Sequence, residues 1–109
     1  MEFKNFILAS ALFLAAVGGI QAQSTQVIAH RGFWKTNGSA QNSIAALVKA
    51  DSIGCYGSEF DVWLTADNQL VVNHDSTFKG VNMQNSTAQQ CTAVILDNGE
   101  QLPTLRQYL

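Results

Sequence analysis

Residues 58–75 read SEFDVWLTADNQLVVNHD, and this stretch decides the fold. Polar and apolar residues alternate over residues 58–65, which predicts a β-strand with Glu59 and Asp61 on one face. A second apolar run, Leu70–Val72, follows after only a few residues. This spacing is too short for a parallel crossover, so it predicts that the two runs pair as an antiparallel hairpin.

The hairpin turn determines which side chains meet. If Asp67 and Asn68 form a two-residue turn, Asp61 lies opposite His74, and directly opposed residues project from the same face. His74 would then share a surface with Glu59 and Asp61. A register shift of one residue would move His74 to the other face.

An earlier strand and helix are predicted upstream of this stretch. The short apolar run Val27–Ala29 reads as a buried strand that ends at His30. Asn42 or Ser43 can cap a helix that ends at Gly54. The predicted apolar side of this helix consists of Ile44, Leu47 and Val48. Strand, helix and strand in this order favour a right-handed βαβ unit with a parallel strand pair.

The signals downstream of Asp75 are weaker. Residues 76–85 read as a loop, and Ser86 or Thr87 can cap a short helix that continues to Val94. A turn is predicted at residues 97–99. Pro103 is typical of the first turn of another helix.

The apolar residues of the chain are concentrated near its beginning. The chain has 109 residues, of which 47% are hydrophobic, and a net charge of −2. This charge excludes a strongly basic nucleic-acid surface. Lys4, the apolar run Phe6–Val17 and small residues up to Ala22 are typical of a signal peptide. The alternative is a membrane anchor, but the run falls short of the roughly 20 apolar residues of a span.

We therefore predict a leader at residues 1–22 and a mature chain of residues 23–109 that is exported to the periplasm or the extracellular space. No stable membrane span is expected after cleavage. Cys55 and Cys91 could form a disulfide in such a compartment. We favour two free thiols, and the spacing of the two residues indicates no metal site.

Five side chains supply the parts of a phosphoryl-transfer site. Glu59 and Asp61 offer the oxygen ligands that suit Ca²⁺ or Mg²⁺. His30 and His74 can exchange protons near neutral pH, and Arg31 can bind a phosphate oxygen. Each residue also has a simpler interpretation, in which the strand is an exposed edge and the histidines are polar residues at strand ends. Spacing alone does not decide between the two.

Several short motifs together resemble the glycerophosphodiester phosphodiesterases. That family shows HRG, EN, ExDV, T-x-D, VV-x-HD and PTL in this order and at similar spacing. The matching segments of this chain are residues 29–32, 41–43, 57–62, 65–67, 71–75 and 102–105. Each motif is weak by itself, but the ordered set is specific, and the likeness extends over residues 27–109.

The resemblance implies an α/β fold, the N-terminal portion of a (β/α)8 TIM barrel that is incomplete in this chain. It implies metal-dependent hydrolysis of small-molecule glycerophosphodiesters to glycerol 3-phosphate and an alcohol, with Ca²⁺ or Mg²⁺ as the cofactor. By motif match, His30 and His74 would be the catalytic acid–base pair. Glu59 and Asp61 would be metal ligands, and Arg31 would contact the substrate phosphate.

The chain departs from the family pattern in two places. Gln41 stands where the family has the glutamate of its EN dipeptide, which changes the local charge. The family also supplies a third acidic ligand from a later ExK segment, which is expected beyond Leu109.

Two alternatives remain. The first is a related cyclising phospholipase or sphingomyelinase-type enzyme, and the second is a non-catalytic secreted remnant or binding module. A complete barrel needs about 250 residues. We therefore expect these 109 residues, expressed alone, to be unstable and inactive.

Overall fold

The computed structural model describes residues 23–109. The predicted leader at residues 1–22 lies outside them. Within the described part, no helix is both long and apolar enough to cross a membrane. The elements are β1 (Ile28–His30), α1 (Ile44–Ser52), β2 (Gly57–Glu59), β3 (Val62–Leu64), β4 (Leu70–Val72), β5 (Thr77–Phe78), β6 (Val81–Asn82), α2 (Ala88–Thr92) and α3 (Leu105–Tyr108).

The predicted βαβ arrangement is confirmed. Strands β1 and β2 pair in parallel, with His30 opposite Glu59. Ser43 is the N-cap of α1, and its hydroxyl accepts a hydrogen bond from the backbone N–H of Ala46. Gly54 follows the helix with φ +77°, so it ends α1 in the left-handed conformation that the sequence predicted.

The buried side of α1 differs from the prediction. Ala46 and Ala50 are the buried residues of the helix, whereas Val48 is 60% exposed. Ala46 is buried because the loop after β1 packs closely against the helix at Gly32. A Cβ atom added at Gly32 would lie 2.5 Å from the Cβ of Ala46. Only a small side chain leaves room for this contact.

The sequence predicts one continuous strand over the alternating stretch 58–65. In the structure, this stretch forms two strands that belong to different sheets. Strand β2 pairs with β1, and β3 pairs with β4. The chain changes partner at Phe60 and Asp61. The Phe60 ring packs against the ring of Tyr108 at a centroid distance of 4.8 Å, which anchors this change of direction.

The hairpin is antiparallel, as predicted, but its register differs by one residue. Leu64 pairs with Leu70, and the backbone N–H of Asn73 donates to the carbonyl of Asp61 over 3.0 Å. The loop therefore contains three residues, Ala66–Asn68, instead of two. Asn68 adopts φ +60°, the left-handed conformation that commonly closes such loops. Asn73, and not His74, lies opposite Asp61.

Residues 76–85 contain a second small hairpin where a loop was predicted. Strands β5 and β6 pair around Lys79 and Gly80, both of which have positive φ, as a type I′ turn requires. The predicted caps downstream are partly correct. Thr87 begins α2, while α3 is capped by Thr104, so Pro103 precedes the helix instead of lying in its first turn.

The apolar core lies between the β3–β4 hairpin and the chain that follows it. Its buried members are Ala40, Val71, Met83, Cys91, Val94, Leu96 and Leu102, and Trp63, Phe78 and Val81 pack against them. The strands of residues 23–109 form three separate two-stranded sheets. The described residues thus form an α/β arrangement of strands and helices, and their sheets do not close a barrel.

Candidate active site

The parallel pairing of β1 and β2 brings His30 beside Glu59. The two residues are opposite each other in the register, and His30 Nε2 lies 3.7 Å from Glu59 Oε2. The same carboxylate oxygen accepts a hydrogen bond from the backbone N–H of Arg31 over 3.2 Å. One oxygen of Glu59 is therefore turned toward the end of β1.

Arg31 occupies the centre of this group. Its backbone adopts φ +59°, which turns the chain immediately after His30. Its Nη1 donates to Gln41 Oε1 over 2.5 Å, and its Nε lies 3.9 Å from Asp61 Oδ2. The amide of Gln41 thus holds the guanidinium at the position where the family pattern has a carboxylate.

Asn42 connects the Arg31 loop to Asp61. Its Nδ2 donates to Asp61 Oδ2 over 3.1 Å, and its backbone N–H donates to the carbonyl of Arg31 over 3.0 Å. The sequence pattern predicts Asn42 only as a helix cap, a task that Ser43 performs. The signal that could have identified its place in the site is the motif at residues 41–43, in which it directly follows Gln41.

His74 belongs to a different part of the site. Its Nδ1 lies 2.6 Å from Asp75 Oδ1, and its carbonyl accepts from Trp63 Nε1 over 3.2 Å. Among the described residues, no hydrogen bond or ion pair joins His74 to Glu59 or Asp61. The predicted direct opposition of His74 and Asp61 is wrong, because the three-residue loop shifts the hairpin register by one.

A cavity of about 340 Å³ lies beside the site. Its wall includes His74, Asn73, Gln41 and Asn42, but His30, Arg31, Glu59 and Asp61 do not line it. The rings of Trp34 and Phe78 and the carboxylates of Asp75 and Asp97 also contribute to its wall. His74 therefore opens into the same space as the residues that hold Arg31 and Asp61.

The two carboxylates have oxygens to offer to a cation. The described hydrogen bonds and ion pairs of these carboxylates involve only Oε2 of Glu59 and Oδ2 of Asp61. Oε1 and Oδ1 are left for a hard cation, which prefers oxygen ligands. Within residues 23–109, however, no three acidic, histidine or cysteine side chains cluster as a metal site. The donor chemistry of Glu59 and Asp61 fits a divalent cation.

The side chains of Cys91, Tyr108 and Asp67 have pKa values shifted from their ordinary ones. Burial raises the pKa of the Cys91 thiol and that of the Tyr108 hydroxyl. A hydrogen bond from the Thr65 hydroxyl lowers the pKa of Asp67, and one from the backbone N–H of Ala88 adds to the effect. Cys55 and Cys91 are both free thiols.

Comparisons with known proteins agree on one family. Residues 30–105 match the model of the glycerophosphoryl diester phosphodiesterase family. The solved structure of a glycerophosphodiester phosphodiesterase from Parabacteroides distasonis is 58% identical with a TM-score of 0.77, and the match covers 81% of this chain and 37% of that one. A Thermotoga maritima glycerophosphodiester phosphodiesterase is 27% identical with a TM-score of 0.65, over 82% of this chain and 39% of that one.

A curated glycerophosphodiester phosphodiesterase from Caldanaerobacter subterraneus is 51% identical over 53 residues, which are 49% of this chain and 21% of the relative. The chain thus spans about two fifths of the solved structures that it matches. The family match, in contrast, extends over most of the chain, from His30 to Leu105. The chain belongs to the glycerophosphoryl diester phosphodiesterase family.

Proposed function

We propose that the protein containing this chain hydrolyses glycerophosphodiesters to glycerol 3-phosphate and an alcohol. The observation that carries the proposal is the meeting of His30, Arg31, Glu59 and Asp61 at the ends of β1 and β2. These are the residues that the family motifs supply. Family membership and this cluster support the same reaction class.

Arg31 is proposed to bind the phosphodiester. The guanidinium carries five N–H donors, and the described structure commits one of them to Gln41. The Gln41 amide is neutral, so it holds the guanidinium without cancelling its charge. Asp61 Oδ2, which lies 3.9 Å from Arg31 Nε, offsets part of this charge, and the uncommitted N–H donors of the guanidinium remain available to a phosphate oxygen.

Glu59 and Asp61 are proposed to hold a divalent cation, Ca²⁺ or Mg²⁺, through Oε1 and Oδ1. Such a cation, when bound, neutralises charge that develops on the phosphoryl oxygens. The family pattern adds a third acidic ligand from its later ExK segment, and we propose that the full protein supplies it.

His30 and His74 are proposed to share the proton transfers of the hydrolysis. One imidazole takes a proton from the attacking water, and the other gives a proton to the departing alkoxide as the P–O bond breaks. The contact of His74 Nδ1 with the Asp75 carboxylate keeps a proton on that nitrogen. Its Nε2 is then the nitrogen that exchanges protons with substrate in the cavity.

The test uses a chimeric chain in which residues 23–109 replace the matching part of the Parabacteroides distasonis relative. We call this chain the completed barrel. With glycerophosphocholine and Ca²⁺ or Mg²⁺, we expect release of glycerol 3-phosphate. His30→Ala and His74→Ala should each lower turnover by roughly 10²- to 10⁴-fold. Gln89→Ala, at an exposed position on α2, is the control and should leave turnover unchanged.

Two outcomes would overturn the proposal. The first is the absence of hydrolysis in a completed barrel that folds, which would favour a non-catalytic binding module. The second is unchanged turnover in either histidine variant. Phosphorus NMR of the product separates hydrolysis from the cyclising alternative, because only the latter accumulates a cyclic phosphate.

We also propose that the protein is exported to the periplasm or the extracellular space after cleavage behind Ala22. The support comes from the sequence, namely Lys4 followed by the apolar run Phe6–Val17. N-terminal sequencing of the protein recovered from the periplasm or the medium should begin at Gln23. A protein that stays in the cytoplasm with Met1 intact would contradict this proposal.

A further inference from the structure

We propose that Asn42 is a positioning residue that orients the Asp61 carboxylate for a divalent cation. The inference rests on the proposed function, because it concerns the same cation. Asn42 touches neither reacting atoms nor cation in this role. It acts through its hydrogen bond to Asp61.

Asn42 is fixed in place from both sides. It is 2% exposed and adopts φ +57°, a conformation that asparagine tolerates better than most residues. Its backbone N–H donates to the Arg31 carbonyl. The next residue, Ser43, is fully buried and caps α1. The side chain of Asn42 therefore starts from a backbone that has little freedom to shift.

The amide of Asn42 is held in one orientation. Nδ2 must face Asp61 Oδ2, because only the NH₂ end of an amide can donate to a carboxylate. Oδ1 is then buried without a hydrogen-bond partner among the described residues. A flipped amide would place this oxygen against the carboxylate. An unsatisfied buried acceptor is unfavourable, so its presence indicates that the bond to Asp61 outweighs it.

The hydrogen bond from Asn42 gives the two carboxylate oxygens of Asp61 different roles. Oδ2 accepts from Asn42 and lies 3.9 Å from Arg31 Nε, while Oδ1 takes part in no described hydrogen bond. Carboxylates that ligate metals are themselves commonly hydrogen-bonded by neighbouring groups, which fix their orientation. The Asn42 side chain serves this purpose and is not needed as a helix cap, because Ser43 supplies the cap of α1.

The variant Asn42→Gly in the completed barrel tests the inference. Glycine adopts the same positive φ without strain, so the change removes the amide and leaves the backbone conformation accessible. Calorimetry with Ca²⁺ alone, repeated with Mg²⁺, should show an affinity loss of roughly 10- to 100-fold, the usual effect of removing such a partner. The melting temperature in EDTA should change little. Turnover should return to within several-fold of wild type when the cation concentration is raised.

A matched control is available in the β3–β4 loop. Asn68 has φ +60°, close to that of Asn42, but it is exposed and remote from Asp61. Asn68→Gly makes the same chemical change and should leave cation affinity unchanged. If Asn42→Gly shows no melting transition in EDTA, Asn42→Ser, whose hydroxyl is too short to replace the amide, is measured instead with the same expected loss.

The failures are distinguishable. If the unmodified completed barrel neither binds the cation nor hydrolyses substrate, the proposed function fails. If it does both and Asn42→Gly binds Ca²⁺ and Mg²⁺ equally well, only the positioning role is overturned. Turnover that stays low at saturating cation, with unchanged affinity, would also overturn it, since Asn42 would then act on the substrate.

Discussion

The two halves of the described chain are held together in different ways. Residues 27–60, the βαβ half, bury small residues such as Ser43, Ala46 and Ala50. Residues 61–109, the hairpin half, bury large side chains, among them Met83 and Leu102. The first half depends on close backbone contact, and the second depends on side-chain packing. Most of the candidate catalytic residues lie in the first half, where geometry is set by the backbone.

The largest loss of stability is expected when a methyl group is added at Gly32, in the βαβ half. At Gly32, with φ +78°, a Cβ would lie within 3 Å of the Cβ and the backbone of Ala46. Gly32→Ala should lower the free energy of unfolding of the completed barrel by about 4 kcal/mol, from the left-handed backbone and overpacking together. Urea denaturation measures this loss.

Gly54→Ala is the matched control for this change. Gly54 has φ +77°, and a Cβ added there would meet no atom within 4 Å, so only the backbone cost applies. The expected loss is about 1–2 kcal/mol. Equal losses in the two variants would show that the contact with Ala46 does not limit the βαβ half.

The next effect comes from removing atoms in the hairpin half. Met83 is fully buried in the core cluster. Met83→Ala should cost about 3 kcal/mol through lost burial and the cavity left behind. Val48→Ala, at an exposed position in the βαβ half, should change stability by less than about 0.5 kcal/mol. A similar loss in both variants, by urea denaturation, would contradict the contrast between the halves.

The smallest expected effect is on the pH dependence of stability, through Asp67 in the hairpin half. Hydrogen bonds from Thr65 and from the N–H of Ala88 lower the pKa of Asp67 in the folded state. The folded pKa thus lies below the unfolded one. The stabilisation is therefore present above the unfolded pKa and is lost as the pH falls through the folded pKa.

Asp67→Asn should lower the melting temperature at pH 7, and the difference from wild type should shrink in acid below about pH 4. Thermal melts between about pH 7 and pH 2 measure it. Asp51→Asn, at an exposed carboxylate without a described hydrogen bond, is the control and should show no such loss. A difference that persists undiminished at the acid end of this range would contradict the role of the Asp67 charge.

Local signals in the sequence predicted several helix ends and two strand pairs correctly, but the β5–β6 hairpin was predicted as a loop. Ser43, Gly54 and Thr87 act at the helix ends where their side chains or backbone preferences place them. The order of apolar runs predicted the parallel pair and the hairpin. These features depend on a few neighbouring residues, so short stretches of sequence are enough to identify them.

The predictions were wrong where contacts between residues far apart in the sequence determine the structure. The buried face of α1 is set by Gly32, which lies outside the helix, and apolar periodicity selected Val48 instead. The loop length of the β3–β4 hairpin depends on the conformation of Asn68 and on the bond from Thr65 to Asp67. The site role of Asn42 likewise depends on Asp61, 19 residues away. None of these partners is apparent from periodicity.

The β3–β4 loop has a consequence for engineering the protein. Asp67 Oδ1 accepts hydrogen bonds from Thr65 Oγ1 over 2.6 Å and from the N–H of Ala88 over 2.9 Å, so one carboxylate joins the turn to the start of α2. If the same sequence closed with a two-residue loop at Asp67 and Asn68, β4 would shift along β3 by one residue, and His74 would replace Asn73 opposite Asp61. The loop conformation therefore sets the spacing between His74 and the carboxylates that we propose as metal ligands, and it should be kept constant in any redesign or graft of this segment.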